Sequence, residues 1–136
     1  METLKSVKAD LENKNVIIIN VHLESYDKTT REKQLDTIIY LFKKYNKKHP
    51  TILLGDFNSD VNYDNPAIIK IFNVENIGNA AFESNYDFTF SSAKPYKRID
   101  YIFYSKNSIE MIDSKVLKQF GEASDHLPVE MKFKLK

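Results

Sequence analysis

The sequence contains no cysteine among its 136 residues. This absence excludes disulfide bonds and thiolate metal sites, and it is typical of proteins from a reducing compartment. The chain also lacks an apolar run of the length that spans a bilayer, and its first residues lack the apolar core of a secretory signal. We therefore expect a soluble, cytoplasmic protein with no membrane segment.

An excess of charge of either sign is missing as well. The 20 basic and 19 acidic residues leave a formal net charge of +1. Nothing at the level of the whole chain therefore indicates binding to a polyanion or a membrane surface, and any attraction for phosphate must be local. The length is that of one domain, and no internal repeat is present, so we expect residues 1–136 to form a single domain.

The most informative stretch begins at Thr51. Thr51 to Leu54 carry no charge and are followed by Gly55, Asp56, Phe57 and Asn58. This pattern predicts a strand buried on both faces, although a short core helix has the same pattern. Gly55 permits a sharp exit that leaves Asp56 and Asn58 at the carboxyl end of the strand, where open α/β folds place their chemistry. The alternative is an ordinary polar loop, because Gly, Asp and Asn are common in any loop.

The remaining pattern predicts an α/β fold with a mixed β-sheet flanked by helices. A capping-box spacing over 29–32 predicts the start of the first helix, whose apolar residues then recur at helical spacing up to Tyr45. The predicted helices are 31–45 and 66–72, and the predicted strands are 4–9, 16–23, 51–54, 87–90, 98–104, 116–117 and 129–135. The helix between the second and third strands predicts a β-α-β unit.

Polar residues lie at the ends of several predicted strands. His22 and Asp56 end their strands, whereas Asp100 and His126 lie at or just before the start of theirs. All of them meet at one side of the sheet only if the later strands run antiparallel to the earlier ones. Each residue alone has an ordinary structural explanation, since a lone histidine on a strand is more often structural than catalytic. Asp100 is different, because a carboxylate inside an apolar strand needs a partner, and we predict that it hydrogen-bonds to His126 across adjacent strands.

In order and spacing, four segments together resemble the C-terminal half of the endonuclease/exonuclease/phosphatase family: Val21-His22-Leu23, Gly55-Asp56-Phe57-Asn58, Arg98-Ile99-Asp100-Tyr101-Ile102-Phe103 and Ser124-Asp125-His126-Leu127-Pro128-Val129. The resemblance covers nearly the whole chain from about Leu4. It implies a Mg²⁺-dependent phosphoesterase in which this chain forms half of a four-layer α/β/β/α sandwich.

The resemblance also implies roles for individual residues. His126 matches the catalytic histidine, and Asp100 matches the acid that orients it. Asp56 matches the acid that prepares the attacking water or protonates the leaving oxygen, and it is also a candidate metal ligand. The remaining matches are Asn58 as the amide that holds the phosphate and the nucleophile, His22 as a donor to a non-bridging phosphate oxygen, and Asp125 as a metal-associated carboxylate.

One departure from the family limits these expectations. The family's N-terminal half supplies an asparagine and the glutamate that is its principal metal ligand, and this chain matches neither. We therefore expect Mg²⁺ or Mn²⁺ to bind weakly, at Asp56 and Asp125. Two functions stay open: hydrolysis of phosphodiesters or phosphomonoesters, with nucleic acids among the candidate substrates, or a catalytically silent module that binds a phosphate-bearing ligand or a protein partner.

The packing of the sheet raises a separate expectation. If the resembled layering holds, both predicted helices cover the same side of the sheet and leave its other side without cover. Four or five strands present roughly 400 Å² on that side. Burying this area at about 25 cal/mol per Å² would contribute roughly 10 kcal/mol. We therefore expect a homodimer packed through that face, or cover by a segment equivalent to the family's N-terminal half.

Overall fold

The structure, a computed structural model, describes residues 3–82 and 84–136. In chain order, the elements are β1 (Thr3–Leu11), β2 (Lys14–His22), α1 (Lys28–Asn46), β3 (Thr51–Asp56), α2 (Ile69–Phe72), β4 (Ile77–Asn79), β5 (Asp100–Ser105), β6 (Ile109–Val116), a short 3-10 helix (Lys118–Phe120) and β7 (Val129–Leu135). None of the helices in these residues is long and apolar enough to cross a membrane.

Five strands form one mixed sheet in the order β1-β2-β3-β5-β4. β2 and β3 run parallel and are joined through α1, whereas β5 lies antiparallel to β3. The predicted α/β fold with a mixed, helix-flanked sheet is thus confirmed, together with the antiparallel return that the polar residues required. The register aligns His22 with Asp56 and Asp56 with Asp100. We call this side of the sheet, formed by the carboxyl ends of β2 and β3 and the amino end of β5, the rim.

The two helices pack on one face of the sheet. Leu35, Ile38 and Phe42 form the buried stripe of α1, and they join sheet residues such as Leu53 in the larger apolar core. Phe57, directly after β3, is also fully buried in this core, and its ring makes edge-to-face contacts with Tyr101 and Phe103 of β5. The Phe57 side chain, buried in the core, therefore anchors the segment that carries Asp56 and Asn58.

The opposite face of the sheet is partly covered by a two-stranded ribbon. β6 and β7 pair with each other in antiparallel fashion, in a sheet of their own. Ile109 of β6 is buried against Ile52 and Ile102 of the main sheet, while Met131 and Phe133 of β7 pack there and stay partly exposed. The expectation that this face lacks cover within the chain is wrong to that extent.

Several predicted boundaries are corrected by the structure. α1 begins at Lys28 and is capped by Asp27, whose Oδ2 accepts a hydrogen bond from the Thr30 backbone N–H at 3.0 Å. The predicted capping box is wrong, and Glu32 instead lies 3.8 Å from Lys28. α2 is shorter than predicted, the predicted strand 87–90 reduces to isolated bridges at Phe90, and β4 was not predicted.

The largest omission is β6, of which only the last residue fell within a predicted strand. Its sequence, Ile-Glu-Met-Ile-Asp-Ser-Lys-Val, does not alternate cleanly between apolar and polar positions. The structure gives the reason, since the register shifts between Met111 and Asp113. An extra residue at such a bulge moves the following side chains to the other face and hides the period of two.

Gly55 is required where β3 approaches β2. Its φ is +135°, and a Cβ at this position would collide with the backbone carbonyl oxygen of Val21. We expect Gly55→Ala to lower the free energy of unfolding by about 3 kcal/mol or more, because strain and a backbone clash act together. Urea unfolding measures this loss.

Gly121→Ala is the matched control. Gly121 also has a positive φ, of +53°, but a Cβ there meets nothing within 4 Å. The loss should stay near the cost of a left-handed residue, about 1–2 kcal/mol. Equal losses in the two variants would contradict the close approach at Gly55.

Candidate active site

Three polar side chains come together on the rim because of the strand register. His22, Asp56 and Asp100 lie on the neighbouring strands β2, β3 and β5. His22 Nε2 is 3.5 Å from Asp56 Oδ2, and the His22 side chain is 52% exposed while that of Asp56 is 15% exposed. Asp56 and Asp100 are register partners, so two acids lie opposite one another, which is unfavourable while both are charged.

His126 supplies a positive group to this pair of acids. Its Nδ1 is 2.9 Å from Asp100 Oδ2, and its Nε2 is 3.7 Å from Asp56 Oδ2. The predicted hydrogen bond between Asp100 and His126 is confirmed. The two residues do not lie on adjacent strands, however: His126 is in the loop before β7, and its backbone bridges to Phe90.

The loop around Thr89 and Phe90 positions the hydrogen-bonded pair of Asp100 and His126, which we call the dyad. The buried Thr89 hydroxyl accepts the backbone N–H of Ile99 and of Asp100, at 3.3 and 3.2 Å. The Phe90 ring lies 5.0 Å from the His126 ring, centroid to centroid. Sequence reasoning missed both residues as parts of the site. The alternation of residues 87–90 located the segment as strand-like, but it gave no signal of contact with the histidine.

Burial and charge shift the pKa values of the central pair. Burial raises the pKa of the Asp56 carboxyl above its ordinary 3.8, and the charge of Asp100 raises it further. The hydrogen bond to Asp100 raises the pKa of His126 above its ordinary 6.5, while burial opposes this rise. The site thus favours a protonated imidazole beside Asp100, and Asp56 binds a proton more readily than an ordinary aspartate.

Asn58 joins Asp56 to the end of β2. Its backbone has a left-handed φ of +46°, and its N–H donates to Asp56 Oδ1 at 2.8 Å. The side-chain amide nitrogen donates to the Leu23 carbonyl oxygen at 2.8 Å and to Ser25 Oγ at 3.3 Å. Asn58 therefore orients Asp56 and closes the loop, and its binding of a phosphate stays a prediction.

The structure brings together a metal-ligand set that differs from the predicted one. Among the described residues, Asp56, Asp100 and His126 offer ligand atoms that all lie within 4.8 Å of one another. Asp125, predicted to bind metal together with Asp56, is exposed and is not part of this cluster. Its charge adds to the rise in the pKa of His126, and its backbone carbonyl accepts the Ser92 N–H at 2.8 Å. Metal binding by Asp125 stays a prediction.

Comparison with known proteins gives a family match over most of the chain. The model of the endonuclease/exonuclease/phosphatase family matches residues 3–126. The chain belongs to this family. No curated protein matches the sequence significantly.

Solved structures of the same family share the fold. The chain is 22% identical to an endonuclease/exonuclease/phosphatase from Bacteroides vulgatus, with a TM-score of 0.77 and coverage of 99% of this chain and 55% of that one. It is 19% identical to D. rerio TDP2 complexed with a single-strand DNA product, with a TM-score of 0.78 and coverage of 98% of this chain and 62% of that one. It is 22% identical to a Bacteroides thetaiotaomicron mannosyl-6-phosphatase, with a TM-score of 0.73 and coverage of 90% of this chain and 52% of that one. The chain therefore spans between about half and three-fifths of the length of these structures.

The dyad makes a prediction for proton binding in metal-free protein. With EDTA present, His126 should titrate by NMR above 6.5, and Asp100→Asn should lower that pKa because the charged acceptor is lost. A raised pKa in the folded state means that the contribution of His126 to stability is complete below pH 6.5 and is lost as pH rises through the folded pKa.

A His126 pKa that does not change in Asp100→Asn would contradict the hydrogen-bonded pair of Asp100 and His126.

Proposed function

We propose that the chain hydrolyses phosphate esters at the rim, with a divalent metal bound there. The observation that carries the proposal is the contact of one imidazole with two acids: His126 Nδ1 lies 2.9 Å from Asp100, and its Nε2 lies 3.7 Å from Asp56. An acid that orients a histidine, next to a second acid with a raised pKa, is an arrangement typical of proton-transfer chemistry. Family membership supports the same class of reaction.

Each side chain has a role in the proposed hydrolysis. Asp56 accepts a proton from the attacking water, a bond forms from the water oxygen to phosphorus, and the bond to the leaving oxygen breaks. The proton then passes to the leaving oxygen, so that charge balances. His126, held by Asp100, donates a hydrogen bond to a phosphate oxygen as negative charge develops, and His22 donates to a second one.

The donor set fits a divalent cation in part. Asp56 would supply a carboxylate oxygen, the ligand type that Mg²⁺ prefers, whereas the nearby Asp100 carboxylate is hydrogen-bonded to His126. Asp56 is the residue that would hold the metal, with Asp125 as the predicted second ligand. The bound ion would polarise the phosphate and stabilise its developing charge. Binding should be weak, because two or three protein oxygens are fewer than a dedicated site supplies.

Phosphodiesters, including nucleic acids, and phosphomonoesters are both candidate substrates. The solved relatives include one with a DNA product and one named a mannosyl-6-phosphatase, and neither identity exceeds 22%. The second candidate function is a silent module that binds a phosphate-bearing ligand or a protein partner. The observation that favours it is that the chain spans 52% and 62% of the length of these two relatives.

Hydrolysis of bis(p-nitrophenyl) phosphate with Mn²⁺ or Mg²⁺ separates the two functions. We expect turnover that EDTA abolishes and that His126→Ala lowers by about 10²–10⁴-fold, the usual contribution of a positioned proton donor. Asp100→Asn should also lower the rate, since the imidazole loses its charged partner.

Asp113→Asn is the matched control. Asp113 is an exposed acid on β6, and it lies opposite Lys132 of β7 in the register of the ribbon. Its rate should equal that of the wild type. No turnover above the His126→Ala background, with folded protein and saturating metal, would favour the silent module.

We also propose that a second copy of the chain packs on the face of the main sheet opposite the helices, over the apolar side chains that the β6–β7 ribbon does not cover. Val7 of β1 is 58% exposed, and Met131 and Phe133 of β7 remain partly exposed. A segment equivalent to the unmatched part of the longer relatives is the alternative cover. Light scattering should give twice the chain mass of 15.9 kDa, and Phe133→Lys should shift the protein to monomer. A concentration-independent monomer would contradict the dimer.

A further inference from the structure

A basic pocket adjoins the rim on the side of Asn58. Its volume is about 220 Å³, and its lining includes Asn58 together with three cationic side chains, Lys28, Arg31 and Lys97. Two of these come from the first turn of α1, and the third comes from the segment before β5. We propose that this pocket binds a second phosphate group of the substrate, next to the phosphate that is hydrolysed. The proposal rests on the function proposed above and extends it to the class of substrate.

The charge pattern at the start of α1 is the first argument. A helix N-terminus carries a partial positive charge, so acidic side chains are the ones that stabilise its first turn. Residues 28–31 contain no acid and instead contain Lys28 and Arg31. Asp27 caps the helix, but its carboxylate is committed to Thr30. Two cations placed here are unfavourable by themselves and become favourable with an anion between them.

Two of the three cations, Lys28 and Lys97, have donors to offer, and Arg31 contributes its positive charge. Arg31 Nη1 donates to the Glu24 carbonyl oxygen at 2.8 Å, and its Nε is buried and closed to a ligand. Lys28 lies 3.8 Å from Glu32, in an exposed pair whose strength is small. Lys97 Nζ lies over the rings of Phe90 and Tyr96, at 4.9 and 5.5 Å. None of these contacts matches a charge-assisted hydrogen bond to a phosphate.

Two acids also line the pocket, and one of them is already engaged. Asp60 is buried, and its carboxylate accepts hydrogen bonds from the backbone N–H groups of Asn62 and Arg98, at 2.9 and 3.1 Å. Asp64 is exposed at the margin of the pocket. The lining therefore carries three cationic and two acidic side chains. Because Asp60 is held by backbone donors on the protein side, the remaining positive charge favours an anionic ligand.

The size and place of the pocket indicate which anion it takes. At about 220 Å³ it is smaller than the sites that hold a whole drug-sized ligand, which begin near 300 Å³. It therefore accepts one group of a larger molecule. Asn58 lines the pocket and its backbone N–H bonds to Asp56. The pocket therefore adjoins the rim, where a second group of the same substrate could reach it. A dinucleotide, or a nucleoside with two separate phosphates, has this form.

A pair of substrates that differ by one phosphate tests the proposal. They are the p-nitrophenyl ester of thymidine 5′-phosphate and the same ester with an added 3′-phosphate. With Mn²⁺, we expect kcat/KM to be about tenfold higher for the second compound, as one charge-assisted contact implies. Lys97→Gln and Lys28→Gln should each reduce this preference severalfold, and Lys97→Arg should retain it.

Lys44→Gln is the matched control, because it removes one positive charge at the far end of α1 and should leave the preference intact. Equal kcat/KM for the two compounds in the wild type would overturn the second-phosphate pocket, while their turnover would leave the proposed hydrolysis standing. A loss of preference in Lys44→Gln equal to that in Lys97→Gln would also overturn it, since the effect would then be one of net charge.

Inorganic pyrophosphate, titrated into metal-free protein and followed by NMR, gives a readout that needs no turnover. We expect signals of the pocket residues to shift in the wild type and in His126→Ala, and to shift far less in Lys97→Gln. If pyrophosphate binds in this way while no ester is hydrolysed, the proposed hydrolysis fails and the anion pocket stands. If pyrophosphate shifts no pocket signal, the pocket proposal is wrong.

Discussion

The hydrogen bond between Asp100 and His126 joins parts of the chain that are otherwise separate. Asp100 begins β5 in the main sheet, and His126 lies in the loop that leads to the ribbon strand β7. A partly buried carboxylate without this partner would be costly, and the imidazole without the acid would lose its fixed orientation. The same contact brings Nε2 within 3.7 Å of Asp56. One interaction therefore stabilises the junction of the two sheets and prepares the site.

The rest of the site follows from strand direction and register. β2 and β3 run parallel and β5 returns antiparallel, so that two carboxyl ends and one amino end meet. Gly55 allows the close approach of β2 and β3, and Phe57 fixes the loop beyond Asp56 into the core. Asn58 then orients the Asp56 carboxylate through its backbone N–H. The basic pocket that we propose to bind a second phosphate lies next to this ordered loop.

Sequence patterns predicted the elements whose periodicity is undisturbed, and they failed where tertiary context decides. Apolar runs located β2, β3, β5 and α1, and the positions of Asp100 and His126 predicted their contact. The bulge after Met111 disturbs the alternation of β6, so the sequence did not predict this strand. For the same reason it did not predict that β6 and β7 cover part of the sheet face opposite the helices. The start of α1 was misplaced because two residues could cap it. Thr29 lies three residues before Glu32, as in a capping box, but the actual cap is Asp27, which accepts the Thr30 backbone N–H. Thr89 and Phe90 act from a loop, where no periodicity marks a contact across the fold.

In the proposed hydrolysis, water attacks phosphorus at the rim under the control of His126 and Asp56. Turnover of bis(p-nitrophenyl) phosphate in ¹⁸O-labelled water with Mn²⁺, followed by ³¹P NMR of the p-nitrophenyl phosphate that is released, measures this attack. We expect one ¹⁸O atom on the phosphorus of this product, formed by the wild type and not above background by His126→Ala. Label in the p-nitrophenol instead, or equal product from both proteins, would contradict it.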